Sequence, residues 1–258
     1  QLKLTILLIL SAISLVWLSA HLLEIFPLSG QFAHRDPDSA LFARLLEQSI
    51  LRGRVLQYDN YACHPYEIRH GFSPFYLWFL YHVVIVFFSV FPDNQIDPMV
   101  VAGLLPVLFT WLTSVVILLT SYRIGRSPVF FFLSCFFMLP SSLAKLSSSF
   151  MLLDYDFLIS FFIWCWLCFY LLASENVCRI WKVAGSLSAT ALIATWTGCP
   201  LFFFFATIYG IYLWLSYAEG SREYLDYASS TMLVGALANI LLISPTAFNG
   251  ELFSLNKY

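Results

Sequence analysis

Two short acidic motifs carry the chemistry this sequence is equipped for. Asp36-Pro37-Asp38 and Asp154-Tyr155-Asp156 each set two carboxylates two residues apart. Carboxylate oxygens are hard ligands, and two such pairs converging would form an all-oxygen site suited to Mg²⁺ or Mn²⁺. Each motif has a second reading. Asp36-Pro37 also reads as a helix start, with Asp as N-cap, Pro at the first helical position and Asp38 in the first turn. Asp154 and Asp156 would equally cap the apolar segment that follows them. Other polar groups point less sharply. Arg44 and Lys145 suit phosphate, although Lys145 at the end of an apolar run is also placed to snorkel toward an interface. His64, His70 and His82 lack zinc-like spacing. Cys165 and Cys168 fall inside an apolar helix, where small packing residues are expected.

The elements that must hold these residues follow from composition. The 258 residues include 13 Lys or Arg and 15 Asp or Glu, so 11% are charged, while 60% are apolar and 26 are Phe. Soluble domains carry about 25% charged residues and leave part of their chain surface in water at any size. A soluble enzyme and a disordered chain are therefore excluded. The net charge of −2 offers no footprint for nucleic acid. The expected class is an all-α polytopic membrane protein in contact with a lipid bilayer.

About 20 apolar residues cross a bilayer core. Charge-bounded apolar runs occur at 4–23, 71–92, 99–122, 128–144, 157–174, 183–218 and 227–250. The run at 183–218 is too long for one span and is expected to break at Thr197-Gly198-Cys199-Pro200. Basic residues collect on the cytoplasmic side. Lys3, Arg123 with Arg126, Arg179 with Lys182, and Arg222 therefore mark four cytoplasmic positions. With them fixed, the segment from Ile25 to Asp97 lies outside at both ends, so the Phe-rich run 71–92 cannot cross. It is expected to be re-entrant or interfacial. The layout is a first span at 1–24, a long external loop at 25–97, and six further spans at 98–250, seven in all. Within the loop, 39–52 is expected to be an amphipathic helix. Leu41, Phe42, Leu45, Leu46 and Ile50 lie near one side, with Arg44, Glu47 and Gln48 displaced from it. Both acidic motifs then fall on the external face.

The order of motifs is itself informative: Asp36-Pro37-Asp38 with Arg44 after the first span, then Arg52-Gly53, Gln57-Tyr58-Asp59, His64-Pro65-Tyr66, Phe72-Ser73-Pro74, then Asp154-Tyr155-Asp156, then Trp196-Thr197-Gly198. This order resembles the N-terminal membrane half of the oligosaccharyltransferase catalytic subunit, a GT-C glycosyltransferase. The resemblance covers most of the chain, and its weight lies in order and spacing, because each motif is short. It implies a GT-C-like helical bundle that moves a glycan from a polyprenyl-(pyro)phosphate lipid to the Asn of an acceptor polypeptide. It also implies a multi-pass integral membrane location with the active face external (extracytoplasmic or lumenal), and room for other membrane subunits. The first-loop Asp, matched by Asp38 on its spacing to Arg44 or by Asp36 on its Pro, would contact metal and acceptor amide. Asp154 and Asp156 would complete a Mg²⁺ or Mn²⁺ site, and Arg44, Lys145 and Trp196 would face substrate.

Two parts of the family pattern have no counterpart between Gln1 and Tyr258: the later external loop that supplies a Glu, and the soluble domain with its Trp-Trp-Asp-Tyr-Gly motif. The C-terminal soluble domain is thus expected to be absent. This leaves an alternative of another class, a non-catalytic GT-C-like membrane scaffold or assembly subunit. A channel or transporter is less supported, because the spans hold almost no ionisable residue at depth.

Overall fold

A computed structural model describes residues 37–56, 58–63, 66–69, 74–92, 96–125, 153, 155–175, 179–196, 198–216 and 220–240. Among them the chain is helical apart from one hairpin. The order is α1 (Pro37–Leu51), β1 (Tyr58–Cys63), β2 (Tyr66–Arg69), α2 (Pro74–Val90), α3 (Pro98–Gly125), α4 (Asp156–Glu175), α5 (Arg179–Thr195), α6 (Cys199–Leu215) and α7 (Ser221–Ala238). The expected spans at 4–23 and 128–144 lie outside the described residues.

The expected amphipathic helix is α1. Phe42, Leu45 and Leu46 are fully buried and Glu47 is exposed, as the apolar spacing requires. It ends on Gly53, whose φ of 63° is left-handed. The Gly53 N–H donates to Ile50 O and the Arg54 N–H to Ser49 O, the paired bonds of a Schellman ending, which glycine adopts without steric strain. The Ser49 hydroxyl donates to Leu45 O and accepts the Leu56 N–H, tying the exit strand back to the helix. The hairpin that follows is an addition to the expected all-helical loop. β1 and β2 pair antiparallel, Tyr58 with Arg69 and Cys63 with Tyr66, with an irregularity between Asp59 and Cys63.

Two segments, Pro98–Ser121 in α3 and Asp156–Ser174 in α4, are long and apolar enough to cross a membrane; Phe75–Val90 and Cys199–Leu215 are apolar but shorter. The long run from 183 does break at the expected place, between Thr195 and Cys199. The basic residues Arg179, Lys182 and Arg222 lie in the first turns of α5 and α7 rather than in loops.

Contacts fix the helix directions. Phe109 of α3 meets Phe157 and Phe161 of α4, and Thr120 further along α3 lies beside Cys168, so α3 and α4 run parallel. Tyr170 of α4 meets Tyr224 of α7, whereas Trp166 donates its indole N–H to Thr231 at 2.9 Å, so α4 and α7 run antiparallel. Lys182 pairs with Asp226 and Asn239 donates to Thr190 O, so α5 and α7 are parallel. Gly210 lies against Tyr224 and Leu225, whereas Thr207, earlier in α6, meets Met232, so α6 and α7 are antiparallel.

Two cores result. The first gathers α1, α2, the start of α3 and the start of α4 around Phe42, Tyr76, Leu77 and Leu158. The second gathers α4 to α7 around Trp166, Leu192, Phe203 and Tyr227. Here helices approach closely over glycine: a Cβ on Gly185 would lie 2.1 Å from the Tyr227 hydroxyl oxygen, which instead donates to Trp166 O at 2.8 Å. Close approach over small residues with buried cross-helix hydrogen bonds is how helices associate where lipid removes the hydrophobic drive.

Candidate functional site

Tyr155, the residue between Asp154 and Asp156, is, like Phe162, a meeting point of the two cores. It packs against both, with Phe42 of α1 at a ring-centroid distance of 6.3 Å and Tyr76 of α2 at 6.2 Å. Phe42 and Tyr76 themselves meet edge to face at 4.7 Å. Edge-to-face geometry sets the positive rim of one ring on the negative face of another. Phe42 lies four residues after Asp38, about one turn further along α1. The three rings thus draw together α1, which opens at Pro37, and the start of α4 at Asp156. Trp196, at the end of α5, packs on the edge of the second core. A Cβ on Gly198 would fall 2.5 Å from its indole, so a glycine here lets Trp196 fold back over the break.

The start of α4 separates the two readings of the second acidic motif. The Tyr155 carbonyl accepts from Leu158 at 3.0 Å and Ile159 at 3.1 Å, which makes Tyr155 the N-cap residue. Asp156 is then the first helical residue and is exposed. The cap position therefore does not fall to Asp156, although Asp156 still benefits from the positive end of the helix. The contrast is α3, where Asp97 is the cap. Its side chain accepts the Met99 N–H at 2.7 Å and its carbonyl accepts from Val100 and Val101.

Asp36, Lys145 and Asp154 lie outside the described residues, and Asp38 is described only as part of the backbone of α1. Arg44 is half-buried on the flank of α1. Among the described residues no three His, Cys, Asp or Glu side chains group closely enough to hold a metal. Of the expected ligands, Asp156 alone has a described side chain: an exposed carboxylate, a hard oxygen donor that suits Mg²⁺ or Mn²⁺. Sequence reasoning passed over Tyr155, which it treated as a spacer; an aromatic between two acids at the mouth of an apolar helix was the available signal. It also passed over the Lys182–Asp226 pair at the opposite end. No family model matches the chain, and no curated protein matches it.

Proposed function

We propose that the chain is a multi-pass membrane glycosyltransferase of GT-C type, using a polyprenyl-(pyro)phosphate-linked glycan and a divalent cation, with protein Asn as the acceptor. The observation that carries this is the Phe42–Tyr155 contact, which brings together the helices that open on the two acidic motifs. The membrane part is supported by α6 and α7, whose Phe204, Phe205, Tyr212, Trp214, Leu233 and Leu237 are exposed. An apolar surface of that extent is an interaction face rather than a water-facing one. The helix directions support it too. Parallel α3 and α4 agree with the expectation that both run toward basic residues, Arg123 and Arg179, on one face.

Asp38 or Asp36, with Asp154 and Asp156, would hold the cation. The bound ion would supply Lewis acidity toward the departing pyrophosphate. Arg44 and Lys145 would bind the phosphate oxygens, and the first-loop Asp would orient the acceptor amide. Trp196, held over the Gly198 break, would wall the substrate groove. The test is transfer of a fluorescent acceptor peptide with Mn²⁺ by purified wild-type protein and by Asp154→Ala/Asp156→Ala. Full activity in the double variant would remove the metal role. No transfer by wild type, with the chain recovered in a stable complex with other membrane proteins, would favour the scaffold reading.

A further inference from the structure

At the end of the bundle away from Tyr155, a cavity of about 650 Å³ opens between α4, α5 and α7. Its floor is aromatic, with Tyr170 and Tyr227. Its rim carries two cations from α5, Arg179 and Lys182, and two carboxylates from α7, Glu223 and Asp226. Lys182 and Asp226 are joined in an ion pair across the mouth. Among the described residues neither Arg179 nor Glu223 has an ion-pair partner, and both are exposed. The rim therefore presents, besides that ion pair, an exposed positive group and an exposed negative group on facing helices. Running from this mouth along α5 is an exposed apolar stripe, Ile180, Val183 and Leu187, at helical spacing. Val183 belongs to both the stripe and the cavity.

A ligand matching this surface has an anion and a cation close together and an apolar tail. We infer that the cavity binds the zwitterionic head group of phosphatidylethanolamine, with its acyl chains along the α5 stripe; this rests on the membrane reading above. Arg179 donates to the phosphodiester, a bond that guanidinium geometry favours. Glu223 accepts from the primary ammonium. A choline head group has no N–H to donate to Glu223, and a glycerol head group has no cation at all. Soluble phosphoethanolamine lacks the chains that the stripe would cover.

The test uses the full chain purified in detergent and offered equal amounts of phosphatidylethanolamine, phosphatidylcholine and phosphatidylglycerol, with retained lipid read by native mass spectrometry. Phosphatidylethanolamine is expected to exceed phosphatidylcholine by about tenfold, the scale of one charge-assisted hydrogen bond. Glu223→Gln should bring the two lipids to parity, Arg179→Gln should lower retention of both while leaving their ratio, and Arg179→Lys should keep most of the retention and shows that the cavity is intact. Equal retention of all three lipids, a preference for phosphatidylglycerol, or a preference unchanged in Glu223→Gln overturns the inference. So does displacement of the lipid by an equal concentration of soluble phosphoethanolamine. A chain that needs detergent yet does not discriminate fails only this inference. A chain that stays monomeric in water without detergent fails the membrane reading as well.

Discussion

Helices α3 and α4 both begin beside aspartate, yet the two starts are built differently. At α3 one acid, Asp97, takes the cap position, with its side chain on the Met99 N–H and Pro98 as the first helical residue. That bond satisfies a backbone donor that the helix cannot satisfy itself. At α4 the cap position belongs to Tyr155, and the acids stand on either side of it. Capping therefore accounts for Asp97 and leaves the exposed Asp156 as surplus charge beside an apolar helix. The first motif resembles the α3 start in its Asp-Pro order, because α1 opens at Pro37 just as α3 opens at Pro98. On the membrane reading proposed above, a surplus carboxylate needs a partner, and a divalent cation would supply one.

The largest effect should come from removing that surplus. Asp154→Ala/Asp156→Ala is expected to lower glycan transfer by about 100-fold, some 2.7 kcal/mol of barrier, while thermal unfolding moves little. Asp97→Ala should do the reverse, leaving transfer per folded molecule unchanged. Equal losses of transfer in the two variants would show that the starts of α3 and α4 are not functionally distinct.

Next in size is Tyr155→Leu. The change keeps an apolar side chain but deletes the ring that touches Phe42 and Tyr76. Lost aromatic contacts and a partial cavity at a half-buried site should destabilise by about 2 kcal/mol. Transfer should also fall, because the two acidic segments lose their shared contact although every acid remains. A variant that unfolds earlier but transfers at the wild-type rate below its transition would separate the rings from the site.

How far the sequence foretold this arrangement depends on the range of the interaction. The extents of α3 and α4 were readable as apolar runs between charges, and the break before Cys199 from Gly198 and Pro200, because those signals are local. The Gly53 ending was local too. The β1–β2 hairpin was not foreseen, since two short polar-aromatic strands are marginal by themselves and carry little local signal. The Lys182–Asp226 pair joins residues 44 apart, and nothing in either neighbourhood announces the other. Within the candidate site, the acids were found by type and spacing. Tyr155 as cap and keystone was not, because its role follows from which carbonyl accepts the first helical bond and which rings arrive from α1 and α2.

A smaller effect concerns Asp97 itself. Asp97→Ala should destabilise by about 1 kcal/mol, the usual loss for an N-cap. Asp97→Asn should be nearly neutral, since the Asn amide oxygen accepts the same Met99 N–H. The comparison is made by thermal unfolding of the two variants in one detergent. A large loss in Asp97→Asn would mean that charge, not hydrogen-bond acceptance, matters at this start.

The smallest effect tests the other side of the contrast. Asp156 sits at the first helical position, where its charge meets the positive end of α4, and it is exposed. Its contribution to stability should be about 0.5 kcal/mol and should shrink as salt rises. Because the benefit comes from charge and not from capping, Asp156→Asn and Asp156→Ala should lose the same amount, unlike the Asn and Ala variants at Asp97. Both should also weaken the dependence of transfer on Mn²⁺, since an amide oxygen is a poorer ligand for a hard cation than a carboxylate. If Asp156→Asn kept both stability and Mn²⁺ dependence while Asp156→Ala lost both, Asp156 would be acting as a hydrogen-bond acceptor after all, and the distinction between the two starts would collapse.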